Sequence, residues 1–173
     1  IEESKGYEFL LSACAALKGR GCHVSLTIVG DGPWQDRIRA LITRLNLQDQ
    51  TRLTGSMSQA DVINEYERAD IFVLPAIKAK HWGITNVLIE AMAMEVPVVT
   101  TPLPAVQELI QDKVNGILVS ERDVDALAQA IEQLMREKDL RLKLATNGRE
   151  TVERLFDKKN TMAELVSIYA SWE

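Results

Sequence analysis

The sequence predicts an α/β fold, a doubly wound parallel sheet that forms one domain over residues 1–173. Helical and strand-like segments alternate along most of the chain, and strands separated by helices are typical of βαβ crossovers in a parallel sheet. The strands IFVL (71–74) and PVVTT (97–101) are continuously apolar, as expected where helices cover both faces of a sheet. The chain has 173 residues, 46% of them hydrophobic and 26% charged, a composition typical of a globular domain.

Hydrophobic periodicity and turn residues predict the elements in order. A helix over 7–21 ends in glycine, and the strand after it (23–30) runs into the turn GDGP. The next helix is predicted to start at Pro33, because proline is favoured in the first helical turn. Further strands are predicted over 51–55, 70–76, 97–101 and 116–120, and further helices over 58–69, 86–94 and 105–110. From Val124 onward the chain is predicted to be helical, over 124–139, 140–156 and 160–172.

Charge and composition exclude several classes of function. The formal net charge is −5, so a polyanion such as DNA or RNA is not an expected partner. Cys14 and Cys22 are the only cysteines, which indicates neither a disulfide framework nor a metal cluster and fits a reducing cytosol. The sequence has no run of about 18 apolar residues and no stretch with the basic start of a signal peptide, so neither a membrane span nor export is expected. The chain also lacks an initiator Met, and we interpret it as a piece of a longer protein.

Ligands of doubly wound sheets bind at the carboxyl ends of the strands. The loops that follow the predicted strands are therefore the candidate site, after Gly30, Gly55, Ala76, Thr101 and Ser120. The segment HWGITNVLIEAMAM (81–94) places one carboxylate, Glu90, in a helix that is otherwise apolar and is predicted to be buried. A buried carboxylate is costly unless something pairs with it, so Glu90 needs a partner. The amino end of this helix, from Thr85 to Leu88, offers unpaired N–H groups to an anion.

Eight motifs occur along the chain in a fixed order: KG, IVGDGP, RLTG, ADIFVLPA, NVLIEAMA, PVVTT, ELIQDKVNGILV and DVDALAQAI. Together these motifs cover nearly all of the chain. With the motifs in this order, the chain resembles the C-terminal, donor-binding domain of a family 4 glycosyltransferase. Enzymes of that family have the two-domain GT-B architecture, with a Rossmann-like fold in each domain. The resemblance implies that a nucleotide diphosphate-sugar, linked to UDP, GDP or ADP, is the donor.

The resemblance assigns a role to each part of the predicted site. Lys5 stands where the family lysine approaches the diphosphate. In the family the start of the helix NVLIEAMA also meets the diphosphate, here through Asn86, Val87 and Leu88. Glu90 corresponds to the second glutamate of the family's Glu-x7-Glu motif, which accepts hydrogen bonds from the ribose hydroxyls. The backbone of Gly55, Ser56 and Met57 is expected to contact the base, since small residues permit close approach. No cofactor and no metal is expected.

The half of the site that would face the sugar departs from the family pattern. Trp82 stands in place of the first glutamate of the motif, and Thr85 in place of a neighbouring proline. Where many members have a glycine pair, this chain has Leu103, Pro104 and Ala105, and a proline has no N–H to donate. Glu95 replaces a common glycine, whereas Glu108 keeps the family's acidic residue. The sugar-side candidates are His81, Trp82, Gly83 and Glu108.

The resemblance also predicts a gap in the sheet. In the strand order 3-2-1-4-5-6 the first strand is central, and this sequence begins after it. Without that strand, LTIV and IFVL would face each other across about 10 Å, twice the usual spacing. The acceptor-binding N-terminal domain of the same protein is the expected partner. Contact with a membrane surface is expected only for the full-length protein. Without the N-terminal domain, the fragment is expected to be inactive and to dimerise through Leu165, Ile168 and Tyr169.

Three functions stay open from the sequence: a retaining glycosyltransferase in polysaccharide or glycoconjugate synthesis, a catalytically silent nucleotide-binding or assembly module, and a nucleotide-sugar epimerase. Plain structural roles are open too. Lys5 is alternatively a solvated surface residue, and Glu90 alternatively pairs with a basic side chain. Asp31 is as readily a plain helix cap as a site residue. Glu121 and Asp123 are expected to be capping and dipole charges, and Met92 and Met94 are expected in the core.

Overall fold

The computed structural model describes residues 1–78 and 86–157 of the chain. Helices and strands alternate as predicted, and the last two described elements are helices. The strands are β1 (Leu26–Ile28), β2 (Thr51–Leu53), β3 (Phe72–Leu74), β4 (Val98–Thr100) and β5 (Ile117–Leu118). The helices are α1 (Tyr7–Gly19), α2 (Gln35–Arg44), α3 (Gln59–Arg68), α4 (Asn86–Ala93), α5 (Pro104–Leu109), α6 (Val124–Arg136) and α7 (Lys138–Phe156). Two short 3₁₀ turns, Glu3–Lys5 and Gln48–Gln50, complete the described elements.

All strand pairs are parallel, but they form two separate sheets. β1 pairs with β2, and β3, β4 and β5 pair in that order. Within residues 1–78 and 86–157 no strand pairing joins β1 to β3. This separation agrees with the gap predicted between LTIV and IFVL. It leaves one backbone edge of β1 and one of β3 without a strand partner in the described part of the chain.

The register of the three-stranded sheet explains why its strands are apolar on both faces. Val73, Val99 and Ile117 are in register, and all three pack into a core that contains α1, α2 and α6. The neighbouring positions Phe72 and Val98 are also in register and pack into a second core with α3, α4 and α5. Successive side chains of a strand point to opposite faces, so the sheet is covered on both sides. This arrangement confirms the predicted doubly wound class.

Side-chain caps begin two of the described helices. Ser58 and Asp123 cap α3 and α6, and each accepts a hydrogen bond from a backbone N–H three residues later. The prediction for Asp123 is thus confirmed. The predicted start of α2 at Pro33 is wrong, because Pro33 and Trp34 form a turn and the helix begins at Gln35. Proline suits such a turn because its φ is already fixed.

The first residues of the chain cross the space between the two sheets at their carboxyl edge. Ile1 is buried, its amino group contacts the carbonyl oxygen of Asp31, and its own carbonyl accepts from the Trp34 N–H at 3.2 Å. Farther along, the carbonyl of Ser4 accepts from the N–H of Ile77 at 2.9 Å. The segment thus contacts the loop after β1 and the loop after β3. It joins the two sheets at the edge where a ligand is expected.

Met92 is buried and Met94 packs against the same core, as predicted for core-filling methionines. None of the helices in the described ranges has the length and apolar character needed to cross a membrane.

Candidate functional site

The loops after β1 and β2 meet at the carboxyl edge. The Gly30 N–H donates to the Gly55 carbonyl at 2.8 Å, and the Thr54 N–H donates to the Ile28 carbonyl at 3.1 Å. Gly55 has φ 71°, in the left-handed region that glycine adopts readily. Ser56 is exposed and Met57 is half-buried. These three residues are the predicted base-binding segment, and they lie directly after the carboxyl end of β2.

Lys5 lies at the same edge, at the end of the first 3₁₀ turn. Its side chain is half-buried, and Gly6 after it is buried with φ 68°. A methyl group on Gly6 would lie 2.8 Å from the carbonyl carbon of Pro75, and closer still to the carbonyl oxygen. Only glycine permits this close approach of two backbones. The close packing fixes Lys5 beside the loop that follows β3.

The predicted burial of Glu90 is the first of two predictions at the site that the structure corrects. The sequence predicts it in a buried helix, but its side chain is exposed although Leu88, Ala91 and Met92 of the same helix are buried. Helical spacing places these three residues against the core and turns Glu90 outward. Glu90 therefore does not need a buried partner. An exposed carboxylate next to a helix start is available to a ligand.

The described partner of Glu90 is a tyrosine from α3. The Tyr66 hydroxyl lies 3.2 Å from Glu90 Oε2 and 3.3 Å from the carbonyl oxygen of Val87. Tyr66 is 8% exposed, and its burial, followed by the charge of Glu90, raises the pKa of its phenol well above the usual value. The alternative of a basic partner for Glu90 has no support among the contacts of the described residues.

Asn86, Val87 and Leu88 form the first turn of α4, as predicted. Asn86 and Val87 are exposed, whereas Leu88 is fully buried. The predicted sugar-side residues His81, Trp82 and Gly83 lie outside the described residues, as does Thr85. Glu108, the fourth sugar-side candidate, is exposed on α5.

The loops after β3, β4 and β5 are tied together by side chains. The Thr101 hydroxyl donates to the Ala76 carbonyl at 2.6 Å, and Glu121 accepts from the Lys78 N–H at 2.7 Å. The second correction concerns Glu121, which was expected to be a capping or dipole charge of α6. Its carboxylate instead holds the start of the loop that leads to residues 79–85. The sequence could not show this contact, because it joins residues 43 positions apart.

Pro104 occupies the first position of α5, where a missing N–H costs nothing. Asp31 does not cap α2, since its carboxylate accepts from the Gly32 N–H at 2.7 Å. Tyr66 was missed as a site residue. Its spacing with Val62 predicts that both face the core, and both do, but the partner of its hydroxyl depends on how α3 packs beside α4.

Two further findings concern side-chain clusters and grooves among the described residues. Among residues 1–78 and 86–157, no three His, Cys, Asp or Glu side chains are grouped so that they could hold a metal ion. A groove of about 620 Å³ lies between α1 and α2 and is lined in part by Glu8, Arg37 and Arg44. It contains none of the predicted site residues.

Comparisons with known proteins agree with this architecture. The family model of the glycosyl transferases group 1 matches residues 1–151. A putative colanic acid biosynthesis glycosyltransferase, WcaL of Salmonella typhimurium, is 33% identical over 172 residues, which cover 97% of this chain and 42% of WcaL.

Solved structures give the same result. Sucrose-phosphate synthase from Thermosynechococcus elongatus matches with a TM-score of 0.84 and 28% identity over 99% of this chain and 43% of its own. HepE of Anabaena, solved in complex with UDP, matches with a TM-score of 0.82 and 25% identity over 96% and 46%. The chain thus spans less than half the length of each of these relatives. The chain belongs to the glycosyl transferases group 1 family and has the GT-B type of fold.

Proposed function

We propose that this chain is the donor-binding half of a retaining glycosyltransferase, which transfers a hexose from a nucleotide diphosphate-sugar to an acceptor. The observation that supports the proposal is the position of Lys5 beside the loop after β3 and of the 55–57 loop directly after β2, both at the carboxyl edge of the sheets. Ligands of this fold class bind at that edge. HepE, which is similar to this chain, binds UDP in its solved structure.

Each part of a nucleotide diphosphate would have its own partner. Lys5 and the N–H groups of Asn86, Val87 and Leu88 would hold the diphosphate, because a lysine and a helix start both attract anions. Glu90, exposed one turn farther along α4, would accept hydrogen bonds from the ribose. The backbone at Gly55, Ser56 and Met57 would contact the base.

On the sugar side, His81, Trp82, Gly83 and Glu108 are the proposed contacts. Stabilising the departing diphosphate would be the main electrostatic task, and positive groups do this without a metal or another cofactor. The acceptor would belong to polysaccharide or glycoconjugate synthesis, as the name of WcaL suggests for that relative. We place the reaction in the cytoplasm, at the inner face of the membrane.

A second candidate is a catalytically silent nucleotide-binding module. Two residues favour it: Trp82, which cannot accept the hydrogen bonds of a glutamate, and Pro104, which begins α5 without an N–H. Hydrolysis or transfer of a nucleotide-sugar by the full-length protein would exclude this candidate. Nucleotide binding without any turnover would favour it.

We also propose that a strand preceding Ile1 fills the space between β1 and β3 in the full-length protein, next to an N-terminal acceptor domain. Ile1 lies at the carboxyl end of that space, so a preceding strand would run parallel to both neighbours. Amide hydrogen exchange checks this point. Residues 26–28 and 72–74 should exchange more slowly in the full-length protein than in this chain alone, whereas equal rates would contradict the proposal.

The donor-binding role is tested by calorimetric titration of UDP, GDP and ADP into the full-length protein, its Glu90→Ala variant and a control, Glu67→Ala. Glu67 is exposed on α3, as Glu90 is on α4, but it is not among the proposed site residues. One nucleotide should bind, with an affinity about tenfold or more lower in Glu90→Ala and unchanged in Glu67→Ala. Absence of binding by all three nucleotides would contradict the proposal.

A further inference from the structure

We propose that Tyr66 is a positioning residue that fixes the Glu90 carboxylate for the ribose. The inference rests on the donor-binding role proposed above and adds to it a residue on a different helix. Tyr66 is in the last turn of α3, 24 residues before Glu90. No motif that the sequence brought forward assigns it a role in the site.

The Tyr66 hydroxyl reaches two acceptors on α4. It lies 3.3 Å from the carbonyl oxygen of Val87 and 3.2 Å from Glu90 Oε2. Val87 and Glu90 are three residues apart, so they share one face of the helix. The hydroxyl has a single proton, which these two acceptors share. One phenol thus links the helix start proposed for the diphosphate to the carboxylate proposed for the ribose.

The phenol itself is held in place by packing. Tyr66 is 8% exposed, and its ring centre lies 5.9 Å from that of Phe72 on β3, with the ring planes tilted by 50°. This tilted geometry is favourable for aromatic pairs. Because burial and Glu90 together raise the phenol pKa far above its usual value, the hydroxyl keeps its proton at physiological pH. Tyr66 is therefore a fixed donor.

The fixed Tyr66 hydroxyl lowers the entropic cost of binding a ligand to the Glu90 carboxylate. Glu90 is exposed, and an exposed glutamate loses rotamer freedom when it binds a ligand. A hydrogen bond from Tyr66 to one oxygen reduces that loss before the nucleotide arrives, and it leaves the other oxygen to accept from ribose hydroxyls. A purely structural role would need only the Val87 carbonyl, which by itself satisfies a buried hydroxyl.

The test is a double-mutant cycle in the full-length protein, with Tyr66→Phe, Glu90→Ala and the double variant. Two ligands are titrated: the nucleoside diphosphate that the unmodified protein binds, and its 2′,3′-dideoxy form. Tyr66→Phe should weaken binding of the ribonucleotide about 3- to 10-fold and leave the dideoxy form unchanged. In the Glu90→Ala background it should cause no further loss, because the contact is already absent.

Phe72→Leu is the matched control for packing, since it removes the ring contact and keeps the hydroxyl. Its unfolding temperature should fall, while its preference for the ribonucleotide over the dideoxy form should stay as in the unmodified protein. Equal weakening of both nucleotides by Tyr66→Phe, or an undiminished loss in the Glu90→Ala background, would overturn the positioning role. A protein that binds none of UDP, GDP and ADP would instead contradict the donor-binding role, and the inference on Tyr66 with it.

Discussion

Replacement of Gly6 by alanine tests how the start of the chain is held against the sheet. Gly6 follows Lys5 and has φ 68°, a conformation that costs an alanine about 1 kcal/mol or more. The added methyl carbon would also lie 2.8 Å from the Pro75 carbonyl carbon, where ordinary contacts begin at 3.4 Å. The two backbones would have to separate by more than about half an ångström, and overpacking of this kind costs about 1–3 kcal/mol.

The two contributions give an expected loss of about 2–4 kcal/mol for Gly6→Ala. In a chain of 173 residues this corresponds to a fall of about 4–16 °C in the unfolding temperature. Urea unfolding measures the free energy directly. Because Lys5 would move with Gly6, the affinity for the nucleotide should fall as well.

Gly21→Ala is the matched control. Gly21 has φ 77°, but an added methyl group would have no neighbour within 4 Å. This variant should therefore lose only the conformational contribution, about 1 kcal/mol. Equal losses in Gly6→Ala and Gly21→Ala would refute the argument that the contact with Pro75 holds the segment in place.

Two further predictions concern a backbone position and a thiol. Glu95 follows α4 with φ 55°, so Glu95→Gly should raise the free energy of unfolding by about 0.5–1 kcal/mol in urea, and a decrease would contradict the expected strain. Burial raises the pKa of the Cys14 thiol to about 11, so at pH 8 only about one molecule in a thousand carries the thiolate. A thiol reagent should thus modify the half-buried Cys22 and spare Cys14 in the native protein, but modify both in denaturant; rapid native modification of both would contradict the burial of Cys14.

The order and type of the described elements could be predicted because each carries a local signal. Ile38, Leu41 and Ile42 of α2 recur at helical spacing, and all three are buried. Val98 and Val99 are adjacent and both buried, as in a strand covered on two faces. Pro33 gave a wrong start for α2, since the same residue suits a turn and a first helical turn.

The site was less predictable because its contacts join distant residues. The sequence identified Glu90 through the motif, but it placed this residue in a buried helix, and exposure depends on which face of α4 meets the core. The contacts of Tyr66 with Glu90 and of Glu121 with Lys78 arise only when separate elements pack together. The separation of β1 from β3 was predictable only through the resemblance, whose strand order puts a first strand between them.

A crystal structure of the full-length protein with its bound nucleoside diphosphate tests the central claim most directly. We expect the diphosphate within hydrogen-bonding distance of Lys5 and the N–H groups at the start of α4, with the ribose hydroxyls on Glu90 and the base beside Gly55. A nucleotide bound elsewhere, for example in the groove between α1 and α2, would contradict it.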